Sequence, residues 1–141
     1  MATIHPYLNF LGNTEEVFNF YKSVFGGEFL NVTRFSDMPD MAANLSPADQ
    51  NRIMHIALPI NDSVMLMGTD ALESLGHTAT IGTAISLAIT PDSKEDGERL
   101  FKALSAGGSV EMPWDKAPWG AWFAMFNDKY GIKWMVNYDE K

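Results

Sequence analysis

Three histidines, His5, His55 and His77, are the side chains best suited to moving a proton near neutral pH. The chain has no cysteine, which excludes thiolate metal sites, cysteine nucleophiles and disulfides. His5 lies in the alternating segment Ile4–Leu11, on one face with Tyr7 and Asn9, while Leu8 and Phe10 share the other. His55 alternates with Ile53, Ala57 and Pro59, against Met54, Ile56, Leu58 and Ile60. The second set has the character of a face buried under a helix, which would turn His55 to the opposite side. His5 and His55 are therefore the candidate acid–base pair. Each also has a plainer reading, as a partly exposed histidine near the terminus and as an imidazole satisfied by a backbone carbonyl. His77 falls in a loop containing glycine and threonine and is expected to be exposed. Ser86 lacks a serine–histidine–aspartate setting, which argues against a nucleophilic role.

The apolar chemistry is concentrated elsewhere. All four tryptophans, Trp114, Trp119, Trp122 and Trp134, fall near the C-terminal end. Such a cluster can line a pocket for a planar ligand, or form core and interface. Nine methionines include Met65 and Met67 two residues apart, with Met135 near the end. Flexible thioethers fill irregular cores and also suit adaptable pockets. The string from Glu111 to Gly120 sets two carboxylates beside two indoles, as in a loop capping a cavity.

These residues must be positioned by a regular framework. After the first strand, Gly12 breaks the run and Asn13 is placed to cap a helix bearing Val17, Phe20, Tyr21 and Val24, stopped by Gly26-Gly27. A strand over Phe29–Phe35 follows. Residues 36–52 carry no stable period and are expected to form a long loop. Ile53–Ile60 and Val64–Thr69 make a hairpin around Asn61-Asp62, and 70–83 is a second loop. The order then restarts with a strand over Ala84–Thr90 and a helix capped by Ser93, whose stripe is Leu100, Phe101 and Leu104. Gly107-Gly108 ends that helix, and apolar stretches follow at 109–112, 120–127 and 132–138. Strand, helix, Gly-Gly and three strands thus recur about 80 residues apart, as a duplicated βαβββ unit would give.

At 141 residues the chain is long enough for a self-sufficient core. A net charge of -8 repels nucleic-acid phosphates and anionic membranes, and no apolar run approaches a membrane span. A soluble cytoplasmic protein is expected, with neither nucleic acid nor membrane as partner.

The segments Pro6-Tyr7-Leu8-x-Phe10-x-Gly12-Asn13, Phe20-Tyr21-Lys22-x-Val24-Phe25-Gly26-Gly27 and Asp128-Lys129-Tyr130-Gly131-Ile132-Lys133-Trp134-Met135-Val136-Asn137 resemble the PhnB-like proteins. These belong to the vicinal oxygen chelate superfamily, with glyoxalase I, bleomycin- and fosfomycin-resistance proteins and extradiol dioxygenases. The resemblance implies an α+β fold: one glyoxalase-like domain over 1–141 with two tandem βαβββ modules, about 1–70 and 83–141, whose curled mixed sheets enclose a cavity. It also implies a homodimer and a small-molecule ligand. Metalloenzymes of the superfamily hold a divalent cation through first and fourth strands. The matching positions here are His5, Ser86, Met67, and Met135 or Asn137, and His5 alone is a good ligand among them. No metal or other cofactor is therefore expected. Tyr7, Asn9, Met67, Ser86, Trp114, Trp119, Trp134, Met135 and Asn137 become the candidate cavity residues. Two functions follow: lyase- or isomerase-type proton transfer through His5 and His55, or sequestration of an apolar or aromatic molecule without turnover. Some PhnB-like proteins carry a methyltransferase label, but the glycine pairs here close helices instead of opening them after a strand, which disfavours methyl transfer.

Overall fold

The N-terminal alternation becomes a short strand, β1 (Tyr7–Phe10), in the computed structural model, which describes residues 2–140. Gly12, at φ +100°, turns the chain into helix α1 (Thr14–Phe25). Val17, Phe18, Tyr21 and Val24 are its buried stripe, so Phe18 takes the core place expected of Phe20, which is only half-buried. Gly26 and Gly27, both at φ +79°, end the helix as the sequence suggests. Strand β2 (Asn31–Arg34) follows, and the expected loop at 36–52 contains two single-turn helices, α2 (Pro39–Ala42) and α3 (Pro47–Gln50). Each begins at a proline, whose missing N–H costs nothing in a first turn. The hairpin β3 (Ile53–Pro59) and β4 (Met65–Asp70) completes this unit. Its turn is held by the Asn61 side chain, which accepts from the Ser63 and Val64 N–H groups.

The helix start departs from expectation. Asn13 makes no side-chain cap. The buried carboxylate of Asp70, at the end of β4, instead accepts from the N–H groups of Gly12 and Thr14 at 3.1 and 3.0 Å. Its other oxygen accepts from the Ile53 N–H at 2.8 Å. One aspartate thus ties the α1 N-terminus to both strands of the hairpin.

A second departure lies in β3. Thr33 pairs with His55 but Arg34 pairs with Ile53, so Met54 is an extra residue in that strand. The bulge changes the strand's phase. Ile53, Ile56 and Leu58 are buried, whereas Met54 is half-buried and Ile60 exposed. The sheet order is β1-β4-β3-β2, with β1 and β4 parallel and the other pairs antiparallel.

The second unit, residues 81–141, repeats the order of the first, residues 1–80. It runs β5 (Leu87–Ile89), α4 (Lys94–Ser105), β6 (Ser109–Lys116), β7 (Trp122–Asn127) and β8 (Lys133–Tyr138), with sheet order β5-β8-β7-β6. The Ser93 hydroxyl accepts from the Asp96 N–H at 3.0 Å and so caps α4, as its position in sequence implies. Only three residues of the alternating stretch 84–90 pair as β5. Two mixed four-stranded sheets, each with one long helix between its first and second strands, make this an α+β chain of tandem βαβββ modules. In each unit one helix covers one sheet face: Phe18 of α1 lies against Gly68, and Phe101 of α4 packs edge-on to Phe126 at 5.5 Å. Neither α1 nor α4 packs on the opposite face of its sheet, which is the uncovered face of each unit.

Candidate functional site

Register decides which side chains share the uncovered face of the first unit. Tyr7 pairs with Met67 and Asn9 with Thr69, while Met67 pairs with Ala57 and His55 with Thr33. Paired residues point the same way, so Tyr7, Asn9, Met67, Thr69 and His55 lie on one face. The His55 and Tyr7 rings stack at 5.7 Å, and the Tyr7 hydroxyl and His55 Nδ1 are 3.2 Å apart. Either tautomer satisfies that contact: the phenol donates to Nδ1, or Nδ1–H donates to the phenol oxygen.

His5 is not part of this group. It precedes β1, and its Nδ1 accepts from the Met65 N–H at 3.0 Å. Met65 pairs with Pro59, four residues along β3 from His55, which is roughly 13 Å of strand. The structure therefore brings His55 to Tyr7 and leaves His5 at the far end of the face. A cleft of about 540 Å³ lies beside His5, between Leu30, Pro59 and Met65.

A second cleft, of about 500 Å³, opens beside Asn9 and Thr69 and is lined also by Phe35, Met54 and His77. Its size suits a small organic molecule. Met54 reaches it from the β3 bulge, which no periodicity in the sequence announces. His77 is exposed, as expected, yet it forms part of this wall. Its backbone N–H donates to the Leu72 carbonyl, and its Nδ1 accepts from the Leu72 N–H.

In the second unit strand parity separates the tryptophans. Trp134 is 3% exposed and donates from Nε1 to the buried Asp128 carboxylate at 2.8 Å. Trp114 rests on Gly97 of α4 and on Trp122, whose ring carries the Lys94 ammonium at 3.9 Å. Trp114 and Trp134, expected among the cavity residues, thus belong to the helix-covered side. Met135, next in sequence to Trp134, must then face the other way.

On that uncovered face Met112, Met125 and Met135 stand in one cross-strand row, continued by Ala88. The next row holds Asp115, Phe123 and Asn137, with the exposed Trp119 edge-on to Phe123 at 5.3 Å. On the other side Ser109, Asn127 and Lys133 form a polar row. Lys133 donates to Glu111 at 2.7 Å and, with a smaller contribution from Asn127, holds the Glu111 carboxyl below its usual range. Ser86 lies just before β5 and is half-buried, while Asn137 donates to Asp139 at 3.4 Å.

The divalent chelate implied by the resemblance does not fit these residues. His5 can offer Nε2 to a metal only with its proton on Nδ1, where it would oppose the Met65 N–H. Met67 and Met135 are soft thioethers, and Ser86 is a neutral alcohol. Among the described residues no three of His, Cys, Asp or Glu are gathered where they could hold an ion. None of the described helices is long and apolar enough to cross a membrane.

Comparison with known proteins places this geometry in a family. Residues 2–137 match the family model described as 3-demethylubiquinone-9 3-methyltransferase. Protein YjdN of Escherichia coli is 33% identical, over 95% of this chain and 93% of that protein. The crystal structure of PA1353 from Pseudomonas aeruginosa superimposes with a TM-score of 0.84 at 37% identity, covering 100% of both chains. The PhnB protein of Bacillus cereus gives a TM-score of 0.77 at 28% identity, over 97% of this chain and 99% of that one. A glyoxalase/bleomycin resistance protein/dioxygenase family enzyme from Burkholderia phytofirmans shares the fold alone, at 17% identity and a TM-score of 0.60 over 95% and 97% of the two chains. With tandem βαβββ modules that share the fold of glyoxalase/bleomycin resistance proteins, and a family match spanning nearly its whole length, the chain belongs to the PhnB-like family described by that model.

Proposed function

We propose that this protein binds a planar aromatic or largely apolar small molecule on the uncovered face of its first unit and sequesters it without turnover. The stacked Tyr7–His55 pair carries this reading. An aromatic ligand gains stacking from those rings and dispersion from the Met67 thioether in register with Tyr7. The Asn9–Thr69 cleft beside them supplies the polar contacts that orient a ligand. A homodimer in the cytoplasm is part of the same proposal.

The Tyr7–His55 contact favours one alternative, proton transfer with His55 as base and the Tyr7 hydroxyl orienting it. Methyl transfer, named in the family description, has less support. The glycine-rich turn that a methyl-donor nucleotide needs would lie between β1 and α1. There the amides of Gly12 and Thr14 are already bound by Asp70. The fold itself favours none of these chemistries.

Proton–carbon spectra of the three histidine rings, recorded while planar aromatic compounds are titrated in, test the proposal. A binder should move the His55 resonances and leave those of His5 in place. Tyr7→Ala should weaken binding at least about tenfold, since a lost aromatic stack is worth roughly 1 kcal/mol beyond its buried area. A screen that moves no His55 signal would overturn the site, and turnover lost in His55→Gln would replace sequestration with catalysis. Metal analysis of untagged protein should find no stoichiometric zinc, nickel, iron or manganese.

A further inference from the structure

We propose that the uncovered face of the second unit holds a soft monovalent metal ion of the Cu(I) class, with Met112, Met125 and Met135 as thioether ligands. Met125 stands on the middle strand, β7, paired with Met112 on β6 and with Met135 on β8. Cross-strand partners have Cβ atoms about 4.5–5.5 Å apart, and a methionine arm has three rotatable bonds. Three sulfurs can therefore meet above Met125 without movement of the backbone. Thioethers are selective ligands, since they favour Cu(I) over zinc or manganese.

The register shows how the row is made. Val110 pairs with Phe126, so an unbroken ladder would set Glu111 opposite Met125. The bulge between Val110 and Met112 removes Glu111 from that position and puts a thioether there instead. Glu111 bonds to Lys133 and Asn127, so its charge is already matched. The row is not part of the core under α4, which packs against the opposite side of the sheet, at Phe126. Met112 is 39% exposed, and Met125 and Met135 are half-buried, so an ion can reach the sulfurs. Phe123, 8% exposed, and Ala88 border the row with apolar surface that suits a soft, weakly hydrated ion.

This site shares only the fourth-strand position of Met135 with the divalent chelate of the superfamily. Two of its ligands stand on the second and third strands of the module, which supply none to that chelate. It is also independent of the organic-ligand proposal, which rests on the first unit.

Silver(I), a redox-stable stand-in for Cu(I), titrated into the protein tests it, with native mass spectrometry giving the stoichiometry and intrinsic tryptophan fluorescence the affinity. One ion should bind per chain and stay bound in excess zinc. Removing a supporting residue behind a metal ligand typically costs 10–100-fold, so loss of a ligand should cost about 100-fold or more. Met125→Leu, which keeps volume and apolarity, should therefore weaken binding by that factor, with Met112→Leu as a second variant if the first unfolds. Met41→Leu, at an exposed position in the first unit, should change nothing. Wild-type protein that binds no silver would overturn the site. So would silver binding of unchanged affinity in both row variants, or silver binding lost in Met41→Leu.

Discussion

Asp70 takes the place at the start of α1 that the sequence offers to Asn13. It is buried, and its two oxygens accept from three backbone N–H groups belonging to the β1–α1 turn and the start of β3. Asp70→Asn keeps one acceptor and turns an NH2 donor toward a backbone N–H. Hydrogen bonds to charged groups contribute about 1.5–3 kcal/mol, so this variant should lose roughly 2–4 kcal/mol in urea unfolding. A loss below half a kcal/mol would mean that water replaces the missing acceptor. Nothing local could have revealed this residue, because Asn13 looks like the cap and the true partner lies 56 residues from Thr14. The candidate site was legible in the same uneven way. Alternation put His5, Tyr7 and Asn9 on one face and turned His55 away from the core, and the resemblance added Met67, whereas Trp134 and Met135 were both expected in the cavity although neighbours in a strand must face apart. The bond from the Met65 N–H to His5 spans 60 residues, which no spacing rule reaches.

Between elements, close approach is achieved differently in the two units. In the first, β4 supplies the glycine: a Cβ at Gly68 would lie 2.6 Å from the Phe18 ring of α1. In the second, the helix supplies it, with a Cβ at Gly97 placed 2.5 Å from Trp114. Gly68→Ala should therefore cost about 1–3 kcal/mol through overpacking. Recovery in the double variant Gly68→Ala with Phe18→Leu, measured by thermal unfolding, would attribute the cost to that contact. A surface pair also joins two elements: Arg34 of β2 donates to both carboxylate oxygens of Glu15 in α1, at 3.1 and 2.7 Å. The hydrogen bond lowers the Glu15 pKa below 4.5, against a smaller opposing effect of burial. A carboxyl whose pKa is depressed by folding stabilises the protein above its unfolded-state value and loses that contribution as pH falls through the folded one. Glu15→Gln should cost only about 0.2–1 kcal/mol at neutral pH, because the pair is largely solvated. The gap between the two proteins should close as pH falls below 4.5. Strand and helix identities were readable because their periods span only a few residues. The bulges at Met54 and Glu111 were not, since each depends on the partner strand.

At the level of the whole chain the dominant property is charge, -8 over 141 residues. Two copies that associate must bring like charges together, so their attraction has to come from apolar surface. Exposed Leu30, Val32, Ile85 and Val110 provide such surface in both units. Salt shortens the Debye length from about 30 Å at 0.01 M to about 8 Å at 0.15 M and so screens the repulsion, while contacts between apolar groups keep their strength. The proposed dimer should therefore tighten as salt is raised, opposite to an interface held by ion pairs. Sedimentation velocity at both salt concentrations reads this directly. A species near twice the 15.7 kDa chain, growing with salt at fixed protein concentration, is the expected result. A dimer that weakens with salt would place the interface on charged pairs, and a 15.7 kDa species under both conditions would remove the dimer while leaving the Tyr7–His55 face intact, because that face is built within one unit of one chain.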